Sequence, residues 1–179
     1  MVRIIYTVLI LLILWWFIKS VKKQEKHEMA ISIAMFCLLT LWFELLFGIF
    51  EFKYWILPEI KILKIIGSIV SSLGAVVFIF TVITMKLLGE PDKGWEHTTK
   101  LIETGIFSII RHPLYFAAFL AISGFFMMRI STLSIVLFVA GAICSFLAAR
   151  FEDKWDLEKF GEPYGEYISK SKLFFPFFY

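Results

Sequence analysis

Five long apolar runs divide the chain, separated by short polar segments. They are Ile4–Ile18, bracketed by Arg3 and Lys19, then Met29–Phe50, about Ile65–Leu88, Leu114–Met128, and Leu133–Ala149, closed by Arg150. A hydrocarbon core of ~30 Å needs ~20 helical residues, which the second and third runs supply alone. The other three are shorter and span only where flanking Lys or Arg side chains snorkel or the bilayer thins. The pattern predicts about five transmembrane helices, with the last two joined by Arg129-Ile-Ser-Thr132 into a tight antiparallel hairpin. The first run has a signal-like length but no small-residue cleavage site follows it. Lys19, Lys22, Lys23 and Lys26 follow instead, and mark a retained helix.

Polar chemistry is confined to two segments, residues 89–113 and 150–173. The first opens on the turn-rich Gly89-Glu-Pro-Asp-Lys-Gly94. The second, from Phe151 to about Tyr167, reads as a short amphipathic helix with Phe151 and Trp155 at i and i+4. The closing aromatic residues 174–179 suit a membrane interface. The expected fold is therefore an all-α integral-membrane bundle in one domain. Residues 1–88 hold three helices, and 89–179 hold a polar loop, the hairpin and a C-terminal amphipathic helix.

Composition agrees. Of 179 residues, 60% are hydrophobic and 18% charged, against roughly 45–50% and ~25% in soluble domains. Mean hydropathy is +0.83. A soluble domain of this size buries only ~70% of its unfolded surface, and these polar groups cannot coat the rest. Orientation follows from the basic residues. With five spans, the first loop, third loop and tail share a side and carry thirteen of the Lys and Arg residues, against five on the other. That arrangement places the N-terminus outside and the C-terminus in the cytoplasm, in a prokaryotic cell membrane or the endoplasmic reticulum. A net charge of +3 with no aromatic-interleaved basic stripe gives no sign of nucleic-acid binding.

Few residues offer chemistry. His27, His97 and His112 stand in separate polar segments without ligand spacing, so no metal site is expected. Cys37 and Cys144 lie inside apolar runs and read as small core residues. Trp15, Trp16, Trp42 and Trp55 fit an aromatic belt. Glu44 lies inside the second run, where an ionisable residue costs ~2.5–3.5 kcal/mol at the bilayer centre and invites a functional reading.

Arg111-His112-Pro113 opens the fourth run. Proline suits a first helical turn, whose free N–H groups favour anions; the same residues also serve as plain interfacial anchors. A hairpin of runs four and five brings Arg111 and His112 beside Arg150, Glu152 and Asp153, with Tyr115 one turn deeper. These charges form either a solvated ion cluster or a pocket for a zwitterion, with Arg111 and Arg150 as candidate catalytic residues.

Leu101-Ile-Glu-Thr-Gly-Ile-Phe-Ser-Ile-Ile-Arg-His-Pro-Leu-Tyr115 resembles the cofactor motif of the isoprenylcysteine carboxyl methyltransferase and phospholipid methyltransferase superfamily. Glu152-Asp153, then Phe160-Gly161, Tyr164 and Tyr167, resemble its second motif, E-E-x(6)-F-G-x-x-Y-x-x-Y. The likeness covers about residues 86–179. It implies a membrane methyltransferase using S-adenosyl-L-methionine on a lipophilic small-molecule or lipid acceptor. By position the cofactor would touch Thr99, Lys100, Leu101 and Ile102 in the loop, Phe107, the turn His112, Pro113, Leu114 and Tyr115, and Glu152. Glu152 would accept from its ammonium, and His112 would donate to its carboxylate. Phe107 replaces a usual Tyr, Asp153 shortens the acidic pair, and Ala148 stands where prenylcysteine enzymes carry Arg. The competing expectations are an NADPH-dependent membrane reductase of sterol-reductase type and a non-catalytic protein with a degenerate site.

Overall fold

The computed structural model describes residues 1–50, 55–92 and 98–173. The expected features that involve Lys53, Lys93, Gly94, His97 and the closing aromatics 174–179 lie outside the described residues. Among the described residues the chain is helical, in the order α1 (Val2–Lys23), α2 (Lys26–Phe47), α3 (Lys61–Leu88), the 3-10 turn Gly105–Ser108, α4 (Pro113–Met128), α5 (Thr132–Phe160) and α6 (Glu162–Lys170).

Four helices, α1, α2, α3 and α5, are long and apolar enough to cross a membrane. The fourth run becomes α4, which at 16 residues is ~24 Å long and stays short of that length. Runs one and five grow on folding. The Lys19–Lys23 stretch continues α1, and α5 runs on past Ala149 to 29 residues. At ~43 Å, α5 exceeds a hydrocarbon core. Its spanning part is Thr132–Ala149, and the polar extension Arg150–Phe160 stands beyond it.

That extension corrects the expected amphipathic helix. Residues 151–167 belong to two helices, broken at Gly161. Gly161 takes φ 66°, a conformation that suits glycine, and the Pro163 that follows pre-sets the first turn of α6.

Small residues let α3 and α4 pack at backbone contact. A Cβ on Gly124 would stand 2.5 Å from the Gly67 carbonyl oxygen, so no larger residue fits there. α5 packs chiefly on α2, and α1 packs chiefly on α2, to which the two-residue turn Gln24-Glu25 joins it, with Gln24 left-handed at φ 59°. The α4–α5 turn carries a capping box between Ser131 and Ser134, and Leu57 N–H donates to the Ile130 carbonyl at 2.9 Å. Glu44 belongs to this end of the bundle. Its carboxylate accepts from the Phe50 N–H at 3.2 Å and pairs with Arg129 at 3.5 Å, joining α2 to the turn.

At the opposite end, the N-terminus of α2, the C-termini of α3 and α5, and the start of α4 meet. His27 packs against Trp155 with the rings tilted and 5.7 Å between centroids, and Thr81 and Met85 of α3 face the same cavity as His112. The two polar segments of the sequence therefore do share one end.

Candidate active site

The turn 109–112 is held in place by the tail. Arg111 N–H donates to the Lys172 carbonyl at 2.7 Å, Lys172 N–H to the Ile109 carbonyl at 3.0 Å, and His112 N–H to the Leu173 carbonyl at 3.3 Å. This short parallel pairing fixes His112 as N-cap of α4, with Pro113 at its first position.

From that turn two cations meet two carboxylates on α5. Arg111 makes a bidentate pair with Asp153, Nε to Oδ1 at 3.0 Å and Nη2 to Oδ2 at 3.1 Å. Its remaining nitrogen donates to the Ser171 carbonyl at 2.6 Å and to that of Ile168 at 3.3 Å. Tyr164 donates to Asp153 at 2.7 Å, and Tyr167 donates to the Phe107 carbonyl at 2.5 Å. These bonds pin α6 under the turn.

His112 lies between the acids. Nδ1 donates to Glu152 at 3.0 Å and Nε2 to Asp153 at 2.8 Å. Burial opposes the charged ring, but the hydrogen bonds it donates to Asp153 and Glu152 outweigh it and lift His112 to about 9. Burial likewise opposes the charge on Asp153, yet His112 and Arg111 hold its carboxyl well below the usual range. The Tyr115 ring stacks on His112 at 5.8 Å, and the Glu152 charge acts on its phenol.

Above this network lies a cavity with about 630 Å³ of space between atoms, part of it open to solvent. Lys100, Leu101, Ile102, Phe107, Arg111, His112, Pro113, Leu114, Tyr115 and Glu152 all line it. Thr99 does not; its hydroxyl donates to the Glu90 carbonyl at 2.7 Å. Arg150 is corrected in position. It is exposed and lines no part of the cavity, since two helical steps turn it ~200° from Glu152. Ala148, which stands where prenylcysteine enzymes carry Arg, is 0% exposed and packs under Tyr115 with Ala30 and Leu173. His112, expected to donate to a ligand carboxylate, has both ring nitrogens engaged by Glu152 and Asp153.

A second cavity, apolar, opens between α2 on one side and α3 and α4 on the other, with about 1500 Å³ of space by the same measure. Met35, Leu38, Ala75, Phe78 and Ala118 are among its walls. Leu114 and Tyr115 line both cavities.

The family model for phospholipid methyltransferases matches residues 63–174, which include every helix from α4 onward and nearly all of α3. The chain belongs to the phospholipid methyltransferase family. It is a membrane methyltransferase. No curated protein and no solved structure matches it. The matched stretch holds every lining residue of the polar cavity, whereas α1 and α2 of this methyltransferase, with Trp16 and His27, lie outside it.

Sequence reasoning missed part of the methyltransferase's cavity. Asp156, Trp155, Lys159, Thr81 and Met85 also line it. Asp156 carried a usable signal, since it stands four residues after Glu152 and one helical face presents both. Lys159 donates to the Thr98 carbonyl at 2.5 Å and lies 4.7 Å over the Trp155 ring. Thr81 and Met85 carried no signal, because only the packing of α3 on α4 brings them there.

Proposed function

We propose that this methyltransferase transfers a methyl group from S-adenosyl-L-methionine to a lipophilic acceptor that reaches the site from the bilayer. The observation that carries this reading is the junction at Leu114 and Tyr115, where a polar cavity and an apolar groove share a wall. A water-borne donor suits the first and a lipid-borne acceptor the second.

The side chains of the polar cavity fit the donor. Glu152 accepts from its ammonium, because a carboxylate has room beyond the His112 bond for further donors. Lys100 and Lys159 are cations of the lining that stand outside the Arg111–His112 network, and they attract its carboxylate. Phe107, Trp155 and Phe160 offer faces for a purine or for a sulfonium cation. When bound, the donor supplies an electrophilic methyl group. The chain's own work is to align the two reactants and exclude water, for which Tyr115 and the buried turn below it give a rigid floor. Arg111 acts here as a positioning residue, holding Asp153 and α6.

The acceptor is an amine or a thiol in preference to a prenylcysteine carboxylate. A carboxylate acceptor calls for a bidentate cation beside the junction, and Ala148 and the outlying Arg150 supply none. We further place the cavity on the cytoplasmic side, on the distribution of Lys and Arg.

Calorimetric titration of the detergent-solubilised protein tests the reading. S-adenosyl-L-methionine and its demethylated product should bind and NADPH should not; binding of NADPH alone would overturn it.

A further inference from the structure

Asp156 is the cavity carboxylate for which the family motifs leave no role. It lines the polar cavity on the same face of α5 as Glu152, one turn further along. Glu152 and Asp153 are each tied to His112, and Asp153 to Arg111 as well. Asp156 has a looser setting. Its neighbours are Glu152 and Lys159 on its own helix, His112 at the start of α4, and Tyr164 of α6. Lys100 from the loop lines the same cavity. The charge of Asp156 acts on the Tyr115 phenol, as do those of Glu152 and of Glu28 on α2, and Tyr115, which lines this cavity with Asp156, also lines the apolar one.

We infer that Asp156 is the catalytic proton acceptor for the methyl acceptor, whose attacking atom therefore enters the junction still carrying a proton. This inference rests on the methyl-transfer reading above. Burial and the nearby Glu152 charge raise the Asp156 carboxyl to about 7, with His112 and Lys159 only partly offsetting them. A base is most effective when its affinity for protons matches the working pH. Near neutrality a carboxylate acceptor, with an ordinary value of ~4, is already ionised and needs no base. A thiol at ~8.5 or an alkylamine at ~10.4 holds its proton and needs one.

The step balances without a further reactant. The thiol S–H or ammonium N–H proton passes to the Asp156 carboxylate, which becomes a carboxylic acid. The freed lone pair forms the new bond to the methyl carbon. The electron pair of the broken carbon–sulfur bond stays on the donor sulfur, which becomes a neutral thioether. Asp156 then returns its proton to water through the open side of the cavity.

The test uses the full chain in detergent micelles with dodecylamine and dodecanethiol as probes. Asp156→Asn should leave the dissociation constant for S-adenosyl-L-methionine within about twofold while turnover of both probes falls roughly 10²–10⁴-fold. The wild-type rise in kcat/KM through about pH 7 should disappear with it. Asp156→Glu should restore part of the rate. Independently of turnover, infrared difference spectra of the donor-free protein should show a protonated-carboxyl band that fades between about pH 6 and pH 8 and is missing in Asp156→Asn. Absence of that band in the wild type would overturn the inference, as would unchanged turnover in Asp156→Asn. An equal loss of donor affinity and turnover would also overturn it, by assigning Asp156 to the donor. Failure of the wild type to bind the donor at all would instead overturn the reading on which this inference rests.

Discussion

Arg111 and Asp153, 42 positions apart in the chain, meet as a bidentate ion pair with side chains only 7% and 13% exposed. The pair joins the turn before α4 to the polar end of α5, and the guanidinium reaches on to the α6 carbonyls.

Breaking such a buried pair on one side leaves an uncompensated charge, at a cost of about 3–5 kcal/mol. Arg111→Met should lower stability by that order in denaturant unfolding, and hydrogen exchange should quicken across Glu162–Lys170. Arg111→Lys should recover little, because an ammonium cannot reproduce the fork. A fully stable Arg111→Met protein without activity would make Arg111 a catalytic cation instead.

Glu152→Gln preserves shape and removes charge. Losing a charge-assisted hydrogen bond to the donor ammonium should cost about 1.5–3 kcal/mol, roughly a ten- to hundredfold weaker dissociation constant by calorimetry. Unchanged affinity would assign Glu152 to the His112 network alone.

Stability should fall in mild alkali. His112 is lifted from an ordinary 6.5 to about 9 in the folded chain, so the folded state holds its proton more tightly. That contribution is complete below about pH 6.5 and is lost as pH rises through about 9, and it is on the order of 3 kcal/mol. Thermal unfolding between pH 6 and pH 10 should show this loss in the wild type but not in His112→Gln. Parallel pH curves for the two proteins would contradict it.

The two ends of the bundle should label from opposite faces. In a background with Cys37→Ala and Cys144→Ala, cysteines replacing Lys100 and Lys159 should react with a membrane-impermeant reagent only from the cytoplasm, and one replacing Lys61 only from outside. Lys61 and Lys159 reacting from one face would contradict the helix order as well as the orientation.

The helices were legible because lipid-facing sequence is nearly all signal: runs of Ile, Leu, Val and Phe have no other stable use. The two motifs, too, marked most of the cavity wall. What stayed hidden depended on where helices stop and how they turn. Hydropathy ends at Ala149, but the backbone of α5 continues because Phe151–Phe160 contains no glycine or proline. Ala148 shares a helical face with Glu152 four residues on, yet one turn of depth puts it beneath the Tyr115 ring and against Ala30 of α2. Pairings between distant segments, such as Arg111 with the Ser171 carbonyl, have no local trace.

The shared wall at Leu114 and Tyr115 has a kinetic consequence. Under the proposed reaction, one reactant arrives by diffusion in three dimensions and the other within a leaflet, in two. The relevant abundance of the second is its surface density, so KM for it takes the units of a mole fraction. Diluting the leaflet with inert lipid then slows turnover even when the bulk concentration of every reactant is held constant.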